Sequence, residues 1–385
     1  MVLTAKWSKD VYNITYNLDG GTAGNPDTYE VDSPVITLER PKRSGYTFLG
    51  WSGTGIDGTQ MDPVITTGST GDKEFTANWK ENSYTIQFIP YGDGTTGSMD
   101  DMNLKYTDRV SISANKFKRT GYTFAGWFTE ATGGTQISGT TKTPVSDTTY
   151  YAHWTANQLN FANQTITKTF STNAQTANIT AASNGTGSYT YTEKTETNAS
   201  GTATNYISIN GTTINIAANT PAGTYTYVIT ATDNGSKVTK DATYTIKIER
   251  AKTATAAAAN KTYNGANQPG VAGTNVTWTG TTSAIDAGTY TANATPDANH
   301  AWSDGTTNAK AITWKMNPKS IAVTWGTTTT FTYNGQPQAP TVSATSGITG
   351  ETINVTRTTG TNAGSYTSTA SISSVTGGRA RKENY

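Results

Sequence analysis

The sequence predicts an all-β protein made of small modules in tandem, and three observations lead to that fold class. About one residue in five of the 385 is Thr, and 21 Tyr and 9 Trp add to a composition typical of strands. Apolar and polar residues alternate over short runs, as on half-buried strands. Short motifs recur at spacings of roughly 70 to 76 residues, which predicts an elongated array of similar units.

Composition also excludes several classes of function. The formal net charge is +1 and only 14% of residues are charged, so the chain has no overall electrostatic attraction for nucleic acid. No apolar run approaches the roughly 20 residues that cross a bilayer. Cys is absent and His occurs twice, which leaves little scope for metal chemistry. We therefore predict no nucleic-acid partner, no membrane insertion, no cofactor and no metal site.

The first half carries two copies of one unit. The heptapeptide GYTFLGW at 45–51 recurs as GYTFAGW at 121–127, and TANW at 76–79 corresponds to YAHW at 151–154. The second motif also occurs near the start, as TAKW at 4–7. We predict that 1–10 is the terminal strand of a truncated repeat and that 11–82 and 83–156 are two full repeats. The chain is accordingly interpreted as a fragment of a longer protein.

Each unit opens and closes with an alternating strand. One face of the opening strand carries Tyr12, Ile14, Tyr16 and Leu18. The closing strand carries Phe75, Ala77 and Trp79 in the same way. A period of two places these side chains on one buried face of a sheet.

These motifs resemble a known family. Tyr-x-Ile-x-Tyr-x-Leu-x-Gly-Gly at 12–21, Arg-x-Gly-Tyr-x-Phe-x-Gly-Trp at 43–51 and Phe-Thr-Ala-x-Trp at 75–79 resemble the Listeria–Bacteroides repeat, the B-repeat of internalin-type surface proteins. The second copy departs at its first turn, where IPYG at 89–92 replaces LDGG at 18–21. The resemblance covers about 1–156. It implies a small β-grasp-like fold on a secreted, surface-attached bacterial protein, and no catalytic residues.

Segment 157–250 has a different pattern. Asn210-Gly211 separates two alternating runs, Ile207/Ile209 and Ile214/Ile216, which predicts a β-hairpin. The motif PAGTY at 221–225 leads into a further alternating run. Short strands separated by turns predict a β-sandwich, and the segment resembles a bacterial Ig-like or cadherin-like module.

Segments 251–318 and 319–385 share two motifs. TYNG at 262–265 recurs at 332–335, and DAGTY at 286–290 recurs as NAGSY at 362–366. Both segments resemble the MBG-type Ig-like repeat of bacterial adhesins, and the second is predicted to be truncated by one strand. No segment is predicted as a helix. The Ala-rich run at 254–259 has helical propensity, but its Thr neighbours favour an inter-module strand.

Five polar features are weighed as candidate chemistry. His153 aligns with Lys6 and Asn78 of the other copies, so it is predicted to be a solvated strand residue rather than a base or ligand. His300 lies near Asp297, but no nucleophile elbow is present, so no catalytic role is assigned. The remaining three are predicted to be a loop and two plain turns, rather than a glycosidase pair and calcium sites: Asp100-Asp101, Asp19-Gly20-Gly21 and Asp233-Asn234-Gly235.

Basic and aromatic residues are treated in the same way. The basic cluster Lys116, Lys118 and Arg119 is predicted to be a solvated face rather than a polyanion site. The recurrent tryptophans are predicted to be core anchors rather than sugar-stacking platforms: Trp51, Trp79, Trp127 and Trp154. The less regular tryptophans are the first candidates for any sugar stacking: Trp278, Trp302, Trp314 and Trp325.

The function predicted from these patterns is that of a non-enzymatic stalk or adhesin segment of a secreted protein on the bacterial cell surface. A monomer is expected, which spaces or presents a binding region and binds surface glycans or proteins weakly through repeated modules. No catalytic, cofactor-binding or metal-binding residue is assigned, and the ligand-binding residues are unknown. Two alternatives remain: the accessory region of a large extracellular glycan-degrading enzyme, and a carbohydrate-binding protein.

Overall fold

The computed structural model describes residues 1–112 and 114–385, and it confirms the all-β prediction. Within these residues the regular structure consists of strands β1 to β34 and one short 3-10 helix, Lys382–Asn384. The chain divides into two compact units. Unit 1 comprises Met1–Asn160, Ala182–Tyr189 and Thr232–Thr239. Unit 2 comprises Phe161–Ala181, Thr190–Ala231 and Lys240–Tyr385.

The first repeat contains six strands. They are β1 (Val11–Asn17), β2 (Thr28–Glu30), β3 (Ile36–Thr37), β4 (Tyr46–Gly53), β5 (Val64–Ile65) and β6 (Lys73–Glu81). The main sheet has the order β2-β1-β6-β4, and its first and last strands, β1 and β6, pair in parallel at the centre. β3 and β5 form a separate ribbon. A mixed sheet with a central parallel pair of this kind is β-grasp-like, although no helix packs on it among the described residues.

The second repeat has nine strands. They are β7 (Ser83–Ile89), β8 (Thr95–Thr96), β9 (Met102–Lys105), β10 (Arg109–Ser111), β11 (Lys118–Arg119), β12 (Tyr122–Phe128), β13 (Gln136–Ile137), β14 (Thr140–Lys142) and β15 (Thr148–Ala156). The main sheet has the order β13-β12-β15-β7-β9, and β7 and β15 again pair in parallel. Both repeats carry a bulge inside the heptapeptide motif, between Phe48 and Gly50 and between Phe124 and Gly126. The two copies therefore share one architecture.

Residues 1–10 are an exception to the repeat. They form no strand, and Trp7 is 92% exposed. The predicted strand does not form there, since a closing strand is held between the counterparts of β1 and β4, and the assignment of 1–10 to a truncated repeat stays a prediction. The recurrence of the motif does not produce a strand without the neighbouring strands that pair with it.

Segment 157–250 forms two sheets. Its strands are β16 (Gln164–Thr169), β17 (Gln175–Asn178), β18 (Tyr189–Asn198), β19 (Ile207–Asn210), β20 (Thr213–Ile216), β21 (Gly223–Asp233) and β22 (Thr239–Glu249). The orders are β16-β22-β21-β18 and β17-β20-β19, with β16 parallel to β22. β19 pairs with β20 in the predicted register, Ile209 opposite Ile214, which confirms the hairpin.

The last two segments are also entirely β. Segment 251–318 contains β23 (Thr255–Ala258), β24 (Lys261–Thr262), β25 (Gln268–Pro269), β26 (Val271–Thr274), β27 (Val276–Gly280), β28 (Ser283–Ala284), β29 (Gly288–Pro296) and β30 (Lys310–Asn317). Segment 319–385 contains β31 (Ala322–Trp325), β32 (Val342–Thr345), β33 (Thr352–Arg357) and β34 (Ala370–Thr376). The Ala-rich run is strand β23, which pairs with β26. All strand pairs lie within one predicted segment, and the six-segment division remains our proposal.

Candidate binding cleft and the recurrent motifs

The arginine of each Arg-x-Gly-Tyr motif stacks on the motif's own tyrosine. The Arg43 guanidinium carbon lies 3.8 Å from the Tyr46 ring centre, and Nη1 lies 2.6 Å from Asp19 Oδ2 in the first turn. Arg119 repeats the stacking on Tyr122 at 3.9 Å. The basic residue therefore fastens the first turn to the GYTF strand.

The basic cluster is consequently only partly a solvated face. Lys118 is exposed, as predicted, and Phe117 between the basic residues is buried. Arg119 is half-buried, and its Nε donates to the Asp93 carbonyl oxygen at 3.1 Å. The prediction of a free, solvated Arg119 is wrong, because cation–π stacking and this hydrogen bond hold the side chain.

The recurrent tryptophans are structural. Trp51 is fully buried and Trp127 is 5% exposed, each inside the aromatic core of its repeat. Trp79 and Trp154 are half-buried against the same cores. Their expected role as anchors is confirmed.

The altered first turn of the second repeat changes the hydrogen bonding of one core tryptophan. Trp79 Nε1 donates to the Leu18 carbonyl oxygen at 3.1 Å. Trp154 Nε1 is buried and has no hydrogen-bond partner within the described residues. The carbonyl that would accept this proton belongs to the turn in which IPYG replaces LDGG.

The two histidines lie far apart in the sequence and have separate surroundings. His153 is half-buried, stacks on Phe128 with ring centres 3.9 Å apart, and its Nε2 lies 2.9 Å from the Glu130 carbonyl oxygen. His153 is therefore a strand residue of β15, as predicted, but the Phe128 ring keeps it half-buried rather than fully solvated. His300 Nδ1 lies 2.6 Å from Asp297 Oδ1, and its ring packs edge-on against Phe170. Neither imidazole has a nucleophile among these contacts.

The candidate acidic residues are placed in loops and turns. Asp100 and Asp101 lie in the loop before β9, and Asp19 ion-pairs with the motif arginine. Asp233 is different, because its carboxylate is fully buried and accepts hydrogen bonds from the backbone N–H and hydroxyl groups of Thr186 and Ser236. These bonds outweigh the opposing effect of burial and hold the pKa of Asp233 at about 2. Asp233 is therefore a structural carboxylate, whereas the sequence pattern predicted only a plain turn at this position.

Two further searches of residues 1–112 and 114–385 bear on function. No group of three or more His, Asp or Glu side chains could hold a metal ion. Nor does any helix in this part of the chain have the length and hydropathy needed to cross a membrane.

The less regular tryptophans differ in exposure. Trp302 is 4% exposed and Trp314 is fully buried, so both are core residues and the suggestion that they stack on sugars is wrong. Trp278 packs against the core that contains Trp302. Trp325 lies elsewhere, in the wall of an open cleft in segment 319–385. It is the one of the four to which the stacking hypothesis still applies.

This cleft is the best candidate for a binding site. Its volume is about 770 Å³, and aromatic and amide side chains line it together, among them Trp325, Phe331, Tyr333, Tyr366, Asn334 and Gln338. Phe331, Tyr333 and Tyr366 are 41%, 66% and 56% exposed. Aromatic faces beside amide groups are suited to a polar ligand with apolar faces, such as a sugar.

The counterparts of these tyrosines in segment 251–318 are covered. Tyr263 is 1% exposed, and Tyr290 stacks on Trp314 of β30 with ring centres 4.8 Å apart. The described part of segment 319–385 has no counterpart of β30 in its sheet. The aromatic core of segment 251–318 is closed by β30 and by Ile348 and Tyr385 of the following segment, whereas the cleft of segment 319–385 is open. The sequence motifs shared by both segments could not reveal this difference.

Comparison with known families identifies two regions in the first half of the chain. Residues 12–78 and 84–153 match the Listeria-Bacteroides repeat domain. These two Listeria-Bacteroides repeats correspond to the two sheets with central parallel pairs. The Ig-like and MBG-type resemblances of the second half remain proposals.

The relatives that this chain matches are longer proteins. Internalin H of Listeria monocytogenes is 32% identical over 149 residues, which is 38% of this chain and 26% of that protein. A protein of Evansella cellulosilytica, described as a membrane protein, is 29% identical over 168 residues, or 41% of this chain and 24% of that protein. The chain thus spans about a quarter of the length of the curated relatives it matches.

Likeness to solved structures is weak. Drosophila N-cadherin EC1-4 aligns with 8% identity and a TM-score of 0.24, over 80% of this chain and 98% of that chain. The assignment of the repeats therefore depends on the family match, and the all-β assignment depends on the observed strands.

Proposed function

We propose that this chain is a non-enzymatic stalk or adhesin segment of a secreted bacterial surface protein. The observation that carries the proposal is the pair of Listeria-Bacteroides repeats, a repeat region similar to part of Internalin H. The motif residues of these repeats, Arg43 and Trp51 among them, contact their own module. A motif that holds its own fold fits a repeated spacer better than a reaction centre.

The experiment is a surface-binding assay with the intact chain. Immobilised bacterial and host surface glycans are tested at low and high salt. With a net charge of +1, adhesion by polar and aromatic contacts should change little with salt. Salt-resistant binding supports an adhesin, and the absence of binding to every surface supports a passive spacer. Binding that vanishes at high salt would contradict the proposed polar and aromatic mode.

A carbohydrate-binding role is the second candidate, and the aromatic cleft favours it. Tyr333 and Tyr366 would stack on sugar rings, with Asn334 and Gln338 as hydrogen-bonding groups. The Tyr333→Ala, Tyr366→Ala double variant should then lose glycan binding. Tyr91→Ala is a matched control, because Tyr91 is 41% exposed and lies outside the cleft. Equal binding by the double variant and the control would exclude the cleft as the glycan site.

A further inference from the structure

Two asparagines in unit 2 make the same backbone contact with the segment before their own. Asn299 Oδ1 accepts a hydrogen bond from the Ala222 N–H at 2.9 Å. Asn384 Oδ1 accepts one from the Ala287 N–H at 2.6 Å. Because both acceptors are carboxamide oxygens and both donors are backbone N–H groups, the two contacts are chemically identical.

Each asparagine also binds the first residue of its own segment. The carbonyl oxygen of Asn299 accepts the Ala251 N–H at 3.0 Å, and that of Asn384 accepts the Lys319 N–H at 2.8 Å. Ala251 and Lys319 are the first residues of segments 251–318 and 319–385. One asparagine thus connects the preceding segment with the start of its own segment.

The donors Ala222 and Ala287 occupy the same position in a repeated turn. They are the second residues of PAGTY at 221–225 and DAGTY at 286–290. In each turn the tyrosine hydroxyl donates back to the first residue, from Tyr225 to the Pro221 carbonyl at 2.9 Å and from Tyr290 to the Asp286 carbonyl at 2.8 Å. This is the geometry of a tyrosine corner, which fixes the orientation of the alanine N–H.

An aromatic residue follows each asparagine and packs beside the junction. His300 lies edge-on to Phe170, with ring centres 5.2 Å apart. Tyr385 lies edge-on to Tyr263 at 5.5 Å. The pair formed by Asn and a following aromatic residue therefore provides a directional hydrogen bond and an apolar contact at both junctions.

We propose that the tyrosine corner is a docking site for an asparagine-bearing turn, and that Asn299 and Asn384 are the coupling residues that fill two such sites. The asparagine oxygen satisfies a backbone donor that would otherwise be unpaired at the junction. Segments 157–250, 251–318 and 319–385 are thereby coupled in series.

The motif NAGSY at 362–366 is the third copy of this turn sequence, but its tyrosine is not locked in a corner: Tyr366 is 56% exposed. Within the described residues no hydrogen bond reaches the Ala363 N–H. The partner that fits it is another β-module that presents an asparagine followed by an aromatic residue. This turn forms one wall of the aromatic cleft, so a docked module and a glycan would compete there.

The test is amide hydrogen exchange on the intact chain, followed at three backbone sites. The Ala222 and Ala287 amides should be protected and the Ala363 amide should exchange freely. Asn299→Leu should speed exchange at Ala222 by roughly tenfold, since a neutral hydrogen bond is removed, and leave Ala287 unchanged. Asn384→Leu should do the reverse.

Three controls keep the outcome interpretable. Asn293→Leu changes an exposed asparagine on β29 and should alter none of the three amides. Asn299→Asp keeps an oxygen acceptor and should restore protection at Ala222. Asn299→Ala repeats the loss without adding bulk. Unchanged exchange at Ala222 in both the Leu and Ala variants, or a protected Ala363 in the unmodified chain, would overturn the proposal.

Discussion

Asp233 shows how much stability one buried carboxylate can contribute. Its folded pKa of about 2 lies below the ordinary value of 3.8, so the contribution is present above about pH 4 and is lost as the pH falls toward 2. This corresponds to about 2 kcal/mol. Asp233→Asn should flatten that part of an acid-unfolding curve followed by circular dichroism.

Asp304 is the matched control for this prediction. Hydrogen bonds from the hydroxyl and N–H of Thr306 also hold its pKa at about 2, but Asp304 is exposed. Solvent screening should make the effect of Asp304→Asn small. An equal effect of the two substitutions would show that burial of Asp233 is not the source of its contribution.

Trp127 is expected to hold the core of the second repeat. It contacts Phe88, Phe117 and Phe124, with ring centres 4.8 to 6.0 Å away. Trp127→Ala should cost about 3–5 kcal/mol and unfold this repeat. Hydrogen exchange would show the loss within 84–153, and Trp7→Ala, at a 92% exposed site, should change nothing. Loss of fold in 251–385 would contradict independent modules.

Trp79 and Trp154 allow the contribution of one hydrogen bond to the free energy of unfolding to be measured. Trp79→Phe removes the bond to Leu18, whereas Trp154→Phe removes a buried N–H with no partner in the described chain. The first substitution should destabilise its repeat by about 1 kcal/mol more than the second. Urea unfolding of the two variants gives the comparison, and equal losses would mean that the turn carbonyl contributes nothing.

At the scale of the element, the local sequence pattern predicts the strands and the hairpin, but it does not predict which distant strands pair. Alternation at Ile14 and Phe75 predicts two half-buried strands, and the hairpin at Asn210 follows from its turn chemistry. The parallel pairing of β1 with β6 joins strands about 60 residues apart, which no local signal specifies. Tyr333 and Tyr263 share a motif yet differ in exposure, because residues distant in sequence, Trp314 among them, cover only Tyr263.

At the element scale, Gly45 of the first repeat packs closely against Tyr106 of the second repeat. A side chain there would lie 2.1 Å from the Tyr106 ring, and φ is +77°. Gly55 has almost the same φ, +78°, with open space around it. Both alanine variants should lose about 1 kcal/mol from backbone strain. Gly45→Ala should lose more and should expose the linker at Asn82 to limited proteolysis, whereas Gly55→Ala should leave it resistant.

At the scale of the whole molecule, the absence of a catalytic assignment can be tested directly. His153 and His300 each contact an aromatic ring and a structural acceptor. The double variant His153→Ala, His300→Ala should therefore leave any activity of the chain toward glycans or peptides unaltered. Hydrolysis that disappears in this variant would overturn the non-enzymatic assignment.

The parallel pairs β1/β6, β7/β15 and β16/β22 have a mechanical consequence. In each case the first and last strands of a predicted module lie side by side and point the same way. A tensile force applied through the chain pulls such neighbours in opposite directions along their length, across the hydrogen bonds that join them. These bonds must then shear together instead of unzipping one at a time. A segment built this way is suited to bearing a tensile load along the chain.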